Sequence, residues 1–312
     1  MNGEIHPYEP GFDASLVALE QQCPQGKAVK LVMDRTQFIT RSAVFDRYRM
    51  LTHWVDGKLV SVSACAETEM KINGKRERAI FFYDGRTHPH YRNHGLQSSL
   101  ARRLFTEFNQ TYGLDRSVLT LKANNLAMLW MGRKNVGRST TTYKFTYLTV
   151  PTSQRITLPT DDRLEKPPLF STDLLTGRDE LQNFYTLYAG TLGVWRLDQV
   201  YQLRVVHLAG WLRLAKQLIS GAAGRKLGIP DKDQVLPMRL LMGFQPQYAA
   251  EINPLLADLA QQGIEYLLVA THPEDGLYRW LKPYAIDTTS YTLLADFQLQ
   301  PQDKLTLDVR CL

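Results

Sequence analysis

Arg86-Thr87-His88-Pro89-His90-Tyr91-Arg92-Asn93-His94-Gly95-Leu96-Gln97-Ser98-Ser99-Leu100 is the stretch on which the fold turns. An alternating segment ends here, the chain turns past a proline, and a helical period begins at a glycine. The first N–H groups of such a helix lack intrahelical acceptors, and with the helix dipole they form an anion site. Arg92 adds a cation, and Gly95 lets a phosphate approach the backbone with no Cβ in the way. Gln97, Ser98 and Ser99 in the first turn can add donors. These residues alone point to a phosphate near the helix start or to a plain structural turn, and they leave both open.

Upstream, three alternating runs are joined by two tight turns. Met50–Val55 leads through Asp56-Gly57 to Lys58–Glu69, and Asn73-Gly74 leads on to Arg76–Thr87. Asp-Gly and Asn-Gly are strong hairpin signals because type I′ turns need positive φ at both central residues. An antiparallel meander is expected, preceded by a short helix over residues 13–22 with Asp13 as N-cap. Downstream the period changes. Leu96, Leu100, Leu104, Phe105 and Phe108 share one helical face, ended by Gly113. A strand at Ser117–Lys122, a helix at Asn125–Arg133 and a strand at Thr140–Val150 follow.

Residues 151–170, rich in Pro and Thr, read as a linker or crossing loop. A helix is expected around Arg178–Ala189. Val205–Gly221 reads as a basic amphipathic helix, whose apolar face is expected to pack on its own domain rather than lie on a membrane. The C-terminal part repeats the order of elements. It has a strand at Met238–Phe244, a helix at Ala249–Gln262, a strand at Ile264–Ala270 and a helix near Leu277–Leu281. Strands at Ile286–Phe297 and Leu305–Arg310 close it. Strand, helix, strand, helix, strand thus occurs over 78–149 and again over 238–297. The chain is expected to divide into residues 1–150, a linker over 151–177, and residues 178–312.

The 312 residues, 44% hydrophobic and 22% charged, exclude collagen-like, coiled-coil and disordered classes. The balance of 37 Lys and Arg against 31 Asp and Glu gives +6, which suits an anionic ligand without implying nucleic acid. Cys23, Cys65 and Cys311 form no disulfide framework or zinc spacing. No signal peptide and no run of 18 apolar residues are expected, so a cytoplasmic setting is expected.

The turn resembles the acyl-CoA signature of the GCN5-related N-acetyltransferases (GNAT), Arg/Gln-x-x-Gly-x-Gly/Ala after a strand and a Pro. Arg92 and Gly95 match; Gln97 departs from Gly or Ala. The meander before the turn and Asn124 with Ala127 after the next strand also fit, so the resemblance covers roughly residues 10–150. It implies an α/β (α+β) fold, a mixed, mostly antiparallel sheet flanked by helices, in two domains of similar plan. Two neighbouring strands splay apart to admit pantetheine, which pairs like an added strand. The resemblance assigns the cofactor to Arg86, Thr87, His88, Arg92, Asn93, Gly95, Leu96, Gln97 and Asn124. The second half lacks the signature and is expected to be degenerate.

The implied activity is transfer of an acetyl group from acetyl-CoA, or of another acyl group from its CoA ester, to a primary amine. The acceptor is expected to be a small molecule or peptide, with no metal, nucleic acid or membrane involved, and the protein a monomer or homodimer. Base candidates are Asp84 and, behind it, Tyr83. In a regular strand Asp84 shares a face with Phe82 and Arg86, and an ion pair with a nearby arginine is the competing role. The tyrosine that commonly serves this family as acid is replaced by Met131; Tyr143 and Tyr147 lie further on, in a strand. The alternative is a non-catalytic acyl-CoA-binding or regulatory module. His88, His90 and His94 cluster, but no carboxylate or Cys completes a ligand set.

Overall fold

The computed structural model describes residues 3–135, 141–159, 164, 166–218 and 230–312. Strand β1 (Glu4–Pro7) leads to helix α1 (Asp13–Gln21) and strand β2 (Val29–Asp34). Asp13 is the first residue of α1 rather than its cap; its carboxylate accepts from Phe38 N–H at 3.0 Å. The meander follows as β3 (Tyr48–Val55), β4 (Lys58–Ile72) and β5 (Lys75–Thr87). Its turns have φ of 49° and 72° at Asp56-Gly57 and of 50° and 86° at Asn73-Gly74, all positive as type I′ demands. Next come α2 (Leu96–Tyr112), β6 (Ser117–Lys122), α3 (Leu126–Asn135) and β7 (Thr141–Pro151). Leu100, Leu104 and Phe108 of α2 are fully buried against β4, β5 and β6.

The second half holds β8 (Phe170–Asp173), β9 (Tyr185–Ala189), β10 (Leu192–Trp195), β11 (Gln202–Leu208) and helix α4 (Gly210–Leu218). Then come β12 (Val235–Leu236), β13 (Met238–Met242), α5 (Ile252–Gln261), β14 (Tyr266–Thr271), α6 (Gly276–Leu281), β15 (Asp287–Ala295) and β16 (Leu305–Asp308). Two expectations fail here. Residues 178–189 form no α-helix: after a single 3-10 turn at Gln182–Phe184, Tyr185–Ala189 pairs with β10 across a turn at Gly190 (φ 54°). The amphipathic stretch is a strand up to Leu208; in the helix after it Trp211 is 64% and Leu214 60% exposed while Leu212 is half-buried, and residues 219–221 of the expected helix lie outside the described residues. No helix among the described residues is long and apolar enough to cross a membrane.

Among the described residues thirteen strands form one sheet, ordered β1-β3-β4-β5-β6-β15-β7-β14-β13-β10-β9, with β16 pairing to β4 and β8 to β16. Strands β12, β11 and β2 make a second, small sheet that ties residues 29–34 to the second half. The repeated plan has a spatial counterpart. Units β5-α2-β6-α3-β7 and β13-α5-β14-α6-β15 each contain one parallel pair, and each gives its last strand to the other. Strand β15 pairs with β6, and β7 pairs with β14. The two exchanged strands meet antiparallel at the centre, from Asp287 opposite Thr149 to Ala295 opposite Thr141.

Candidate functional site

The parallel pair β5–β6 is in register over Ile80–Phe82 and Ser117–Leu119 alone. Beyond these residues β5 runs on to Thr87 and β6 to Lys122 without pairing to each other, so the sheet opens. A bulge marks the same place on the other side of β5. Val62 opposes Arg86 and Ala64 opposes Tyr83, so Asp84 and Gly85 both stand against Ser63. Asp84 takes φ of 52°, unusual for a residue with a side chain.

The bulge re-aims Asp84. Phe82 packs in the cluster under α2, but the Asp84 carboxylate turns to the α1 side. The shared face expected for Asp84 and Phe82 is therefore broken by two consecutive residues opposing one. There it accepts from Arg35 at 2.8 Å and Arg41 at 3.3 Å. Arg35 also binds Glu20, which accepts from Arg86 at 2.9 Å. Asp84, Glu20 and Arg35 are nearly sealed from solvent. Burial by itself would raise the Asp84 carboxyl, but Arg35 and Arg41 outweigh it and hold it at about 2. A carboxylate so committed is a poor proton acceptor near neutrality. Tyr83 is also buried; burial pushes its phenol well above the usual range, and it donates to Ser42 Oγ at 2.8 Å.

After β5, a 3-10 turn over Pro89–Tyr91 leads to α2. His88 Nδ1 accepts from His90 N–H at 3.3 Å, so this histidine braces the turn. Among the described residues no group of three or more His, Cys, Asp or Glu is arranged to hold a metal. Asn93 (φ 66°) and Gly95 (φ 75°) are both left-handed, and the first helical bond runs from Ser99 N–H to Gly95 O. The N–H groups of Leu96 and Gln97 thus stand at the open start of the helix. A Cβ built on Gly95 meets nothing within 4 Å, so the backbone there faces open space. Arg92 is exposed beside it, its Nε 3.4 Å from Thr87 O.

Gln97 works differently from the expectation. Its Nε2 faces away from the turn, toward Arg86 O at 2.7 Å and Ser61 Oγ and Val62 O at 2.8 Å. The side chain sutures α2 to β4 and β5, leaving only its backbone N–H for a phosphate. Arg86 points inward to Glu20, and His88 N–H donates to Val60 O at 2.9 Å, so their remaining β5 edge is what faces the opening. Across the cleft, α3 is capped by Asn125, whose Oδ1 accepts from Met128 N–H at 3.3 Å; Asn124 sits one residue earlier, exposed.

Sequence reasoning missed Glu20, Arg35 and Arg41, which lie 43 to 64 positions from Asp84 with no spacing to mark them. It also missed a tyrosine face. Arg41 lies over the rings of Tyr83 (5.2 Å) and Tyr201 (5.9 Å). Tyr147 of β7 and Tyr291 of β15 meet edge to face at 4.8 Å. The hydroxyls of Tyr147, Tyr201 and Tyr291 make no hydrogen bond among the described residues. Burial raises all three phenols. Beyond Tyr201 a cavity of about 120 Å³ opens, lined by Leu197, Asp198, Leu203, Met238 and Arg239. Tyr143 takes no part; its hydroxyl donates to Leu169 O and Asp303 O.

The second parallel pair, β13–β14, is also in register over three residues, Met238–Leu240 and Tyr266–Leu268. Its opening is filled by the chain itself. Thr172 Oγ1 donates to Leu241 O, Gly243 N–H donates to Thr172 O, both at 2.7 Å, and Asp275 accepts from the N–H groups of Leu169 and Phe170. The void left there is about 10 Å³, the space of a single water.

Residues 25–120 match the sequence profile of the Acetyltransferase (GNAT) domain. No curated protein sequence matches the chain. Among solved structures, N-myristoyltransferase of Saccharomyces cerevisiae with bound myristoyl-CoA aligns with a TM-score of 0.57 at 9% identity, over 96% of this chain and 80% of that one. A glucosamine N-acetyltransferase region of a fungal multi-domain GH3 beta-N-acetylglucosaminidase aligns with a TM-score of 0.54 at 15% identity, over 94% of this chain and 38% of that one. Identities this low speak for the fold alone. Residues 25–120, which span the meander, the turn and α2, thus match an acetyltransferase (GNAT) domain, and the fold over the whole length is similar to that of N-acyltransferases.

Proposed function

We propose that the first half binds acetyl-CoA, or a longer acyl-CoA, and that the acyl group passes to a primary amine. The carrying observation is that β5 and β6 part at the bulge beside a left-handed, glycine-opened helix start. The pantetheine would add along β5, and the pyrophosphate would lie at the helix start on the N–H groups of Leu96 and Gln97 with Arg92 alongside. Asn124 would lie across the opening at the end of β6. The acceptor would lie on the tyrosine face, where Tyr147, Tyr201 and Tyr291 offer hydroxyls that nothing in the described protein uses.

The amine must lose a proton to attack the thioester carbon; the C–N bond forms, the C–S bond breaks, and CoA leaves as a thiolate. Asp84, held at about 2, is not positioned for that proton, and its role here is to fix the bulge. A water relay against the tyrosine face fits the geometry better. Thiols titrate near about 8.5, so the thiolate leaves without a dedicated acid, in keeping with Met131 at the usual tyrosine position. A cytoplasmic setting is part of this proposal, supported by the free thiols of Cys23, Cys65 and Cys311.

The test is calorimetric titration with acetyl-, octanoyl- and myristoyl-CoA, followed by assay of CoA release with a panel of amines. Release of free CoA dependent on one amine class supports the enzyme. Tight binding with no amine turned over favours the non-catalytic reading, for which the locked Asp84 and the methionine at 131 already speak. Absence of binding by any acyl-CoA overturns both.

A further inference from the structure

Helix α4, Gly-Trp-Leu-Arg-Leu-Ala-Lys-Gln-Leu, turns Trp211 and Leu214 outward. Leu208, just before it, is 4% exposed, whereas Trp211 and Leu214 are 64% and 60% exposed. These two lie three apart, hence on one helical face. Arg213 is exposed and has no ion pair among the described residues. The surrounding sequence is one-sided in charge. From residue 199 to 230 there is no Asp or Glu, while Arg204, Arg213, Lys216, Arg225 and Lys226 are present. Arg204 is engaged by Asp34 at 2.9 Å; the rest of the run has no acidic residue of its own to offset it.

We propose that α4 is an interfacial anchor that docks on an anionic phospholipid surface. A tryptophan with a neighbouring leucine on a basic helix is the chemistry of the lipid headgroup boundary, where the ring inserts and the cations meet phosphate. Nine residues reach about 14 Å, so the helix lies on the bilayer rather than through it. A second copy of the chain fits less well, because a twofold pairing of this face would bring like charges together. The inference does not depend on the acyltransferase reading.

The experiment is co-sedimentation of the full chain with vesicles of phosphatidylcholine alone, or with about 30% phosphatidylglycerol. The wild type should bind the anionic vesicles at least about tenfold better than the neutral ones. The preference should collapse at about 0.5 M salt, where the Debye length is short. Trp211→Ser/Leu214→Ser should lose at least about tenfold in binding, with an unchanged melting temperature. Arg213→Glu should weaken binding to anionic vesicles alone. Equal or absent binding to the two vesicle types overturns the proposal. So does full binding by the double variant. A wild-type dimer that the double variant converts to monomer, without vesicle binding, assigns the face to self-association instead.

Discussion

Gln97 and Gly85 interlock across the bulge of β5. A Cβ on Gly85 would stand 3.0 Å from Gln97 Oε1, and Gln97 Nε2 donates to the neighbouring carbonyl of Arg86 at 2.7 Å. The helix that carries the phosphate turn is thereby fixed to the strand that borders the cleft. Gln97→Ala would leave the carbonyls of Val62 and Arg86 short of a donor. A stability loss of about 1–3 kcal/mol in urea unfolding is expected. CoA affinity should stay within about threefold, since the side chain faces the strands. A tenfold weaker affinity at unchanged stability would place the side chain on the ligand.

Asp84 makes stability depend on acid. Its carboxyl titrates at about 2 in the folded chain and near about 3.9 when unfolded. A depressed value contributes stability that is present above pH of about 4 and is lost as pH falls toward about 2. The contribution is on the order of 2 kcal/mol. Asp84→Asn should remove that dependence and leave Arg35 and Arg41 facing a neutral amide, at a cost of about 3–5 kcal/mol. Urea midpoints measured at neutral and acid pH for both proteins check this. An Asp84→Asn protein as stable as wild type would refute the ion-pair role.

At Gly95 the left-handed backbone (φ 75°) strains a bulky side chain, even though the space before it is open. Gly95→Trp is expected to weaken CoA binding by at least about tenfold. Undiminished binding in a calorimetric titration would remove the turn from the cofactor site.

One CoA should bind per chain, because Phe170–Asp173 already occupies the opening of the second parallel pair. A stoichiometry of two would show that this segment can be displaced. A fragment of residues 1–150 is expected to stay unfolded and to bind none. In the intact chain β7 has both its neighbours, β15 and β14, from beyond that point.

Tyr143 and Tyr147 should separate cleanly. Tyr143→Phe strips a donor from two backbone carbonyls and should cost about 1–3 kcal/mol without changing turnover per folded molecule. Tyr147→Phe touches no internal bond among the described residues and should leave stability within about 0.5 kcal/mol. It should raise the Michaelis constant for the amine or lower turnover. Loss of activity in the Tyr143 protein alone would mean that the acceptor face is elsewhere.

Local chemistry was legible in the sequence. Asp56-Gly57 and Asn73-Gly74 set the meander because only certain residues take positive φ, and the leucines of α2 show their face by spacing. What stayed hidden depends on distant partners. Tyr185–Ala189 looks helical until β10 pairs with it. Asp84 looks like a base until Arg35 and Arg41 close on it, and no local pattern announces a bulge with a non-glycine residue in it. The second half could be seen to repeat the order of elements, but no residue in β7 or β15 says that the two strands change places.

That exchange makes the chain dependent on its own order of synthesis. Strands β6 and β7 leave the ribosome close together, but the strand that belongs between them follows about 150 residues after Thr141. At about 5–20 residues per second, this leaves an interval on the order of ten seconds. During it both edges are bare and free to pair with each other in a register that must later be undone. Productive folding is therefore a post-translational event of high contact order. Slow refolding from denaturant, and aggregation whenever synthesis stalls before Asp287, are costs built into this topology.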